Sequence, residues 1–99
     1  MNETIDDLTI AFSEDTVEKV RELDKCVLTK GAWTTIMFCY QDFEPSKQEF
    51  GPIKYSIRRY QKQNNQFWLK SKFNISNESQ AAKIIEVLGK WIENSPEPK

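Results

Sequence analysis

The sequence contains no histidine, and its 99 residues include only three glycines and two cysteines. Without histidine, the chain lacks the side chain that most often serves as a general base or as a metal ligand. So few glycines leave no glycine-rich loop that could cradle phosphates, and serine and threonine have no histidine to activate them as nucleophiles. We therefore expect no enzyme activity, no metal site and no cofactor.

Long apolar runs are also missing from the chain. The longest one, residues 36–40, is far shorter than the ~20 residues that span a bilayer. The acidic first residues contain no apolar stretch typical of a secretion signal. We therefore expect a cytoplasmic protein that does not associate with membranes, with Cys26 and Cys39 as free, buried thiols.

Charge is distributed unevenly along the sequence. Residues 1–24 carry eight acidic and two basic side chains, a net charge of −6, whereas residues 25–99 carry seven acidic and twelve basic ones, a net charge of +5. The stretch from Lys54 to Lys72 contains six basic residues and no acidic one. This asymmetry suggests a polyanionic partner for the basic part, although charge alone favours an ordinary solvated surface.

Four segments have the composition of β-strands. The first lies within residues 15–28, which fit neither a helical nor a strand period well and could begin with a short helix. Residues 32–43 are β-branched and aromatic on both faces, which indicates a central strand. Residues 53–61 and 67–75 alternate between two faces, and the Asn64–Asn65 pair in the polar linker predicts a hairpin turn.

Residues 77–94 have the pattern of an amphipathic helix. Asn77 can cap its first turn, with Gln80 in the third helical position of a capping box. Apolar residues recur at helical spacing along one side, at Ala81, Ile84, Ile85, Leu88, Trp91 and Ile92.

The expected fold is α+β, with a four-stranded antiparallel sheet followed by one long C-terminal amphipathic helix. Residues 15–94 would form this single domain, after an acidic arm in residues 1–14 and before a disordered tail in residues 95–99. The arm would be mostly loose, or its apolar residues 8–12 would form a short strand. The arm would either fold over the basic part of the domain or merely keep the protein soluble. One sheet face is expected to pack on the helix through apolar residues, namely Ile53, Tyr55, Ile57, Phe67, Leu69, Phe73 and Ile75.

The other face of the last two strands would combine positive charge with exposed rings. Its members are Lys54, Arg58, Tyr60, Trp68, Lys70 and Lys72, with Lys62 at the turn. Single-stranded nucleic acids bind surfaces on which cations follow the phosphates and aromatic rings stack on the bases. We therefore predict that the five cations contact phosphates and that Tyr60 and Trp68 stack on bases. The alternative is a protein–protein interaction module, in which Trp68 packs on a partner and the lysines form the rim.

Two stretches of these strands resemble the positive-cofactor-four family of transcriptional coactivators, above all its bacterial branch. They are Pro-Ile-Lys-Tyr-Ser-Ile-Arg-Arg-Tyr at residues 52–60 and Lys-Ser-Lys-Phe-Asn-Ile-Ser-Asn-Glu at residues 70–78. The positions that match the family's motif are Lys54, Tyr55, Ile57, Arg58, Lys72, Ile75 and Ser76, with Tyr60 at or next to its aromatic position. Residues 27–33 resemble the family's first strand and turn. The chain departs from the family at Ser71 and Phe73, where the family has glycines, and in a longer loop at residues 44–52.

The resemblance implies a curved four-stranded sheet followed by a helix. It also implies a homodimer formed through the helix and the sheet edge, and non-specific binding of single-stranded DNA, with RNA as the alternative, in a groove made by the basic face. A role in transcription, replication or repair would follow from this activity.

Overall fold

A computed structural model describes residues 4–95 of the chain as an α+β fold, in which one curled antiparallel sheet precedes a single helix. This confirms the expected class, but the sheet has six strands and not four. The extra strands are very short and were hidden in segments expected as an arm and as a loop. The elements are a 3-10 turn at Ile5–Asp7, then β1 (Phe12–Glu14), β2 (Val17–Thr29), β3 (Trp33–Glu44), β4 (Glu49–Phe50), β5 (Lys54–Gln63), β6 (Gln66–Ile75) and α1 (Glu78–Glu93).

The strands lie in the order β1-β2-β3-β5-β6, and β4 pairs with the end of β3. The central position expected for residues 32–43 is therefore confirmed. The register of β2 on β3 shifts twice, between Glu22 and Asp24 and between Val27 and Thr29. Each shift reverses the alternation of side chains, which explains why this stretch of sequence fits no single period.

Two-residue turns join the outer strand pairs. Asn64 and Asn65 connect β5 to β6 with φ angles of 54° and 63°, as a turn that follows the twist of a hairpin requires. Asp15 and Thr16 connect β1 to β2 in the same way, with φ angles of 53° and 65°. The hairpin turn predicted from the asparagines is confirmed.

The core lies on one side of the sheet, which we call the groove face and define by Thr34, Ile36, Phe38 and Tyr40 of β3. Leu8, from the segment before β1, is only 1% exposed and packs in the same cluster as Ile36 and Phe38. Lys25 of β2 fixes this segment, because its ammonium group donates hydrogen bonds to the carbonyl oxygens of Ile5 (2.8 Å) and Leu8 (2.7 Å). The residues expected as an arm thus contribute apolar side chains to the core.

A β-bulge in the β5–β6 hairpin changes which residues share a face. Arg59 pairs with Ser71 and Tyr60 pairs with Leu69, so Lys70 is the extra residue. Side chains before Lys70 in β6 therefore lie on the opposite face from the one that unbroken alternation predicts. Phe67 belongs to the core cluster of the groove face, and the prediction that Phe67 and Leu69 pack on the helix is wrong.

The other side of the sheet, which we call the helix face, is defined by Met37, Tyr55, Ile57 and Ile75. Together with Ala81, Ile84, Ile85 and Leu88 of α1, these residues line a cavity of about 350 Å³. The helix begins as predicted, because the side chain of Asn77 accepts a hydrogen bond from the Gln80 amide at 2.8 Å. Only its first half lies over the sheet, however. Ile85, Trp91 and Ile92 are between 67% and 71% exposed.

Candidate nucleic-acid interface

The β5–β6 hairpin is the most positively charged part of the described chain. It contains six cations and no carboxylate, which are Lys54, Arg58, Arg59, Lys62, Lys70 and Lys72. Of these six cations, only Lys54 forms an ion pair with a carboxylate of residues 4–95, namely that of Asp42 at 3.0 Å. The acidic side chains of β2 are separated from β5 by β3, and those of β1 lie one strand further away, at the opposite edge of the sheet. The charge asymmetry of the sequence is thus also an asymmetry of the surface.

Lys54 differs from the other cations in being held by a carboxylate. The hydrogen bond from its ammonium group to Asp42 raises the pKa of Lys54, and partial burial opposes this effect. Lys54 therefore remains charged at neutral pH, but Asp42 neutralises much of its field. We expect it to contribute less to anion binding than the cations that lack a partner.

A polar groove of about 440 Å³ lies on the groove face beside Arg58 and Lys72. Its opposite wall is the backbone segment from Thr9 to Phe12, which the Glu22 carboxylate holds by accepting hydrogen bonds from the Thr9 hydroxyl and the Ile10 amide. The groove is about large enough for one small polar group of a ligand. Asp42 also lines it, with its carboxylate paired to Lys54, so Arg58 and Lys72, which have no ion-pair partner among residues 4–95, favour an anionic group there.

Arg58 and Lys72 are direct cross-strand partners in the antiparallel ladder. Like charges in this position destabilise a sheet, and no carboxylate among residues 4–95 forms an ion pair with either of them. The Nε atom of Arg58 donates to the Ser56 hydroxyl at 3.5 Å, and that hydroxyl is 2.7 Å from the Asn74 side-chain oxygen. The pair is thus oriented but not neutralised, and a bound phosphate would relieve its repulsion.

Tyr60 lies on the groove face as predicted, but its expected exposure is wrong. The residue is 4% exposed and belongs to the core cluster with Phe67, and burial is the main cause of its raised pKa. The bulge at Lys70 brings Phe67 onto the same face, where it helps to cover the Tyr60 ring. This ring is not open to a nucleobase.

Trp68 and Lys70 are exposed, but they do not share the groove face with Arg58. Trp68 pairs with Gln61 and therefore lies on the helix face, where it is 49% exposed. Lys70 occupies the bulge itself. Lys62 is exposed near the turn, with its ammonium group 5.6 Å from the centre of the Phe67 ring. The prediction that all these side chains lie on one face is wrong, because a sequence period cannot reveal a bulge.

Two residues that were not predicted as site residues, Trp33 and Arg59, lie on the same face of the sheet as Trp68. Gln61 of β5 pairs with Trp68 of β6 on one side and with Trp33 of β3 on the other. The Arg59 guanidinium lies 4.4 Å from the centre of the Trp33 ring. Trp33 is 40% exposed at the start of this central strand. The sequence feature that could have indicated this exposure is the Lys30–Gly31 pair two residues earlier, which marks a turn and places Trp33 at the end of a strand.

Other chemical sites have little basis within residues 4–95. No group of three or more Asp, Glu or Cys side chains there could hold a metal ion, and no described helix has the length and apolar character to cross a membrane. Both cysteines are free; Cys26 is exposed, contrary to expectation, and Cys39 is half-buried. Burial raises the pKa of the Cys39 thiol, which disfavours the reactive thiolate.

Comparison of the chain with family models, with curated proteins and with solved structures finds no match. The resemblance to the positive-cofactor-four family therefore stays a prediction.

Proposed function

We propose that this protein is a homodimeric single-stranded nucleic-acid-binding protein without sequence specificity, with DNA as the preferred ligand and RNA as the alternative. The observation that carries the proposal is the concentration of six cations in one hairpin, five of which have no ion-pair partner among the described residues. Phosphates are the anions that such a surface binds most readily when it is extended along a strand pair.

The shape of the surface favours a single strand over a duplex. Reading a duplex requires a helix or a two-stranded ribbon in the major groove. The only helix among residues 4–95 is nearly balanced in charge and has an apolar side, so it does not supply such an element. The cations instead lie on an open sheet, and cation–phosphate contacts of this kind carry no sequence information.

The second copy in this proposal covers the apolar side of α1. The radius of gyration of the Cα atoms is 16.0 Å, whereas a compact chain of this length has about 13 Å. The extents of 52 × 38 × 17 Å describe a flat molecule, in which Ile85, Trp91 and Ile92 of the helix are largely exposed to solvent. Exposed apolar surface of this kind is typical of an interface, and the family resemblance implies a homodimer through the same element.

The resemblance also favours a cellular role in transcription, replication or repair, in which non-specific proteins protect or present single strands.

Fluorescence anisotropy with a labelled oligo(dT) tests the proposal. At about 50 mM salt we expect binding, and we expect Arg58→Ala with Lys70→Ala to weaken it by about 10- to 100-fold, since two phosphate contacts are lost. The matched control replaces two helix cations, Lys83→Ala with Lys90→Ala, and should change the affinity by less than about threefold. Absence of binding, or equal losses for both double variants, would contradict the proposal.

A protein–protein interaction module is the second candidate, and the exposed apolar side of α1 is the observation that favours it. In that case the apolar side would receive a different protein, and the cations of the hairpin would only keep the surface soluble. A wild-type protein that fails to bind oligo(dT) at low salt would favour this candidate.

A further inference from the structure

The helix face has two parts, and α1 covers only one of them. The covered part, around Met37, Ile57 and Ile75, is apolar and faces the first half of the helix. The open part lies toward the β5–β6 turn and contains a row of three side chains on neighbouring strands, in the order Trp33, Gln61 and Trp68. The bulge at Lys70 creates this row, because without it Trp68 would lie on the opposite face.

The row is ordered and accessible. The indole nitrogen of Trp68 donates to the backbone carbonyl oxygen of Gln63 at 3.4 Å. The side-chain amide of Gln63 donates to the side-chain oxygen of Gln61 at 3.2 Å. Arg59 lies over the Trp33 ring in a cation–π contact. Between 40% and 49% of each tryptophan remains exposed, so part of each ring is open to a ligand.

We infer that Trp33, Arg59 and Trp68 form a base-stacking platform for the single strand whose phosphates bind the cations of the hairpin. The inference rests on the proposed function and assigns the bases a site that the groove face does not offer, since Tyr60 is buried there. Indole rings stack on any nucleobase and so give affinity without sequence preference. Arg59 has no carboxylate partner among residues 4–95, and its charge is available to a neighbouring phosphate.

The position of β6 explains how a single nucleic-acid strand can contact both the groove face and the helix face. β6 is an outer strand of the sheet, and its bulge residue Lys70 is exposed and pairs with no residue of β5. A nucleic-acid backbone that follows Lys72, Lys70 and then Arg59 passes around this edge without leaving the positive surface. The two tryptophans are two strand spacings apart, about 10 Å, so we expect each ring to hold a separate base.

The charge around the row favours a nucleic acid over a second protein chain as its occupant. Tryptophan and arginine are enriched at interfaces between protein chains as well, but lysine is depleted there, and the row lies on a hairpin that contains six cations, four of them lysines, and no carboxylate. The apolar side of α1 has no such concentration of cations, and it is the surface that we expect to receive a protein chain.

Single-tryptophan variants test this inference, because the chain has only three tryptophans. Each variant keeps one tryptophan and replaces the other two with phenylalanine. Trp33 is kept in Trp68→Phe with Trp91→Phe, and Trp68 is kept in Trp33→Phe with Trp91→Phe. Trp91 is kept in Trp33→Phe with Trp68→Phe. Each variant is titrated with oligo(dT) and with an abasic oligonucleotide of equal length, while anisotropy reports binding in parallel. We expect oligo(dT) to quench Trp33 and Trp68 and to leave Trp91 unchanged, and we expect the abasic strand to bind without quenching.

A pair of substitutions at Trp68 separates stacking from simple apolar contact. Trp68→Phe keeps an aromatic face and should cost little affinity for oligo(dT), whereas Trp68→Leu should cost at least about fivefold. Binding by anisotropy with no quenching of Trp33 or Trp68, or equal affinities for the Phe and Leu variants, would overturn the platform and leave the proposed function intact. Absence of any binding would overturn both. A change in Trp33 or Trp68 emission with protein concentration alone would assign the row to a protein interface and overturn the platform.

Discussion

Leu8 offers a direct test of how the N-terminal segment contributes to the fold. The side chain is 1% exposed and packs with Ile36 and Phe38 in the core. Leu8→Ala removes three carbon atoms from this site, which at about 0.8 kcal/mol per buried methylene costs about 2.4 kcal/mol in transfer free energy. The cavity that remains adds to this loss, so we expect a total of about 3–4 kcal/mol.

Thermal unfolding at fixed protein concentration measures this effect. A loss of 3 kcal/mol lowers Tm by at least about 12 °C for a domain of this size. Leu23→Ala is the matched control, because Leu23 is 44% exposed on β2 and its truncation should cost less than about 1 kcal/mol. Equal unfolding free energies for the two variants would show that residues 5–10 are a loose arm and would refute the packing described above.

Two further perturbations test the assembly and the role of Asp42. Ile85→Asp with Ile92→Asp places charge on the exposed apolar side of α1 and should therefore convert the dimer into a monomer in sedimentation analysis. The control variant Glu93→Gln should remain a dimer. A wild-type protein that sediments as a monomer would contradict the proposed dimer. Asp42→Asn should tighten oligo(dT) binding by about three- to tenfold, because it releases Lys54 from its ion pair. Asp42→Asn should also bring the raised pKa of Lys54 back toward its ordinary value, and NMR titration of the ammonium group would show this change. An unchanged affinity for oligo(dT) would count against Lys54 as a phosphate ligand.

Local patterns predicted much of this fold. The alternation in residues 53–61, the asparagine turn and the capped helical stripe each lie within one element, and they are determined by short-range geometry. The two short strands were missed because β1 has only three residues and β4 only two, which is too few for an alternation of faces to be recognised. The packing of Leu8 on Ile36 is likewise a long-range contact that no local period encodes.

The bulge at Lys70 accounts for the main error in the candidate site. A period of two assigns Trp68 and Lys70 to the face of Arg58, and one extra residue moves Trp68 to the opposite face. The cations themselves were predictable, since charge is read directly from the sequence. The open tryptophan row was not, because it depends on the bulge and on where the helix stops covering the sheet.

The salt dependence of oligo(dT) binding tests the central claim most directly, because it counts the phosphates that the hairpin neutralises. If about six phosphates are neutralised per protomer, the logarithm of the association constant should fall against the logarithm of salt concentration with a slope of about −4. A slope near zero, or no binding at low salt, would contradict the claim that the cations of β5 and β6 bind a nucleic-acid backbone.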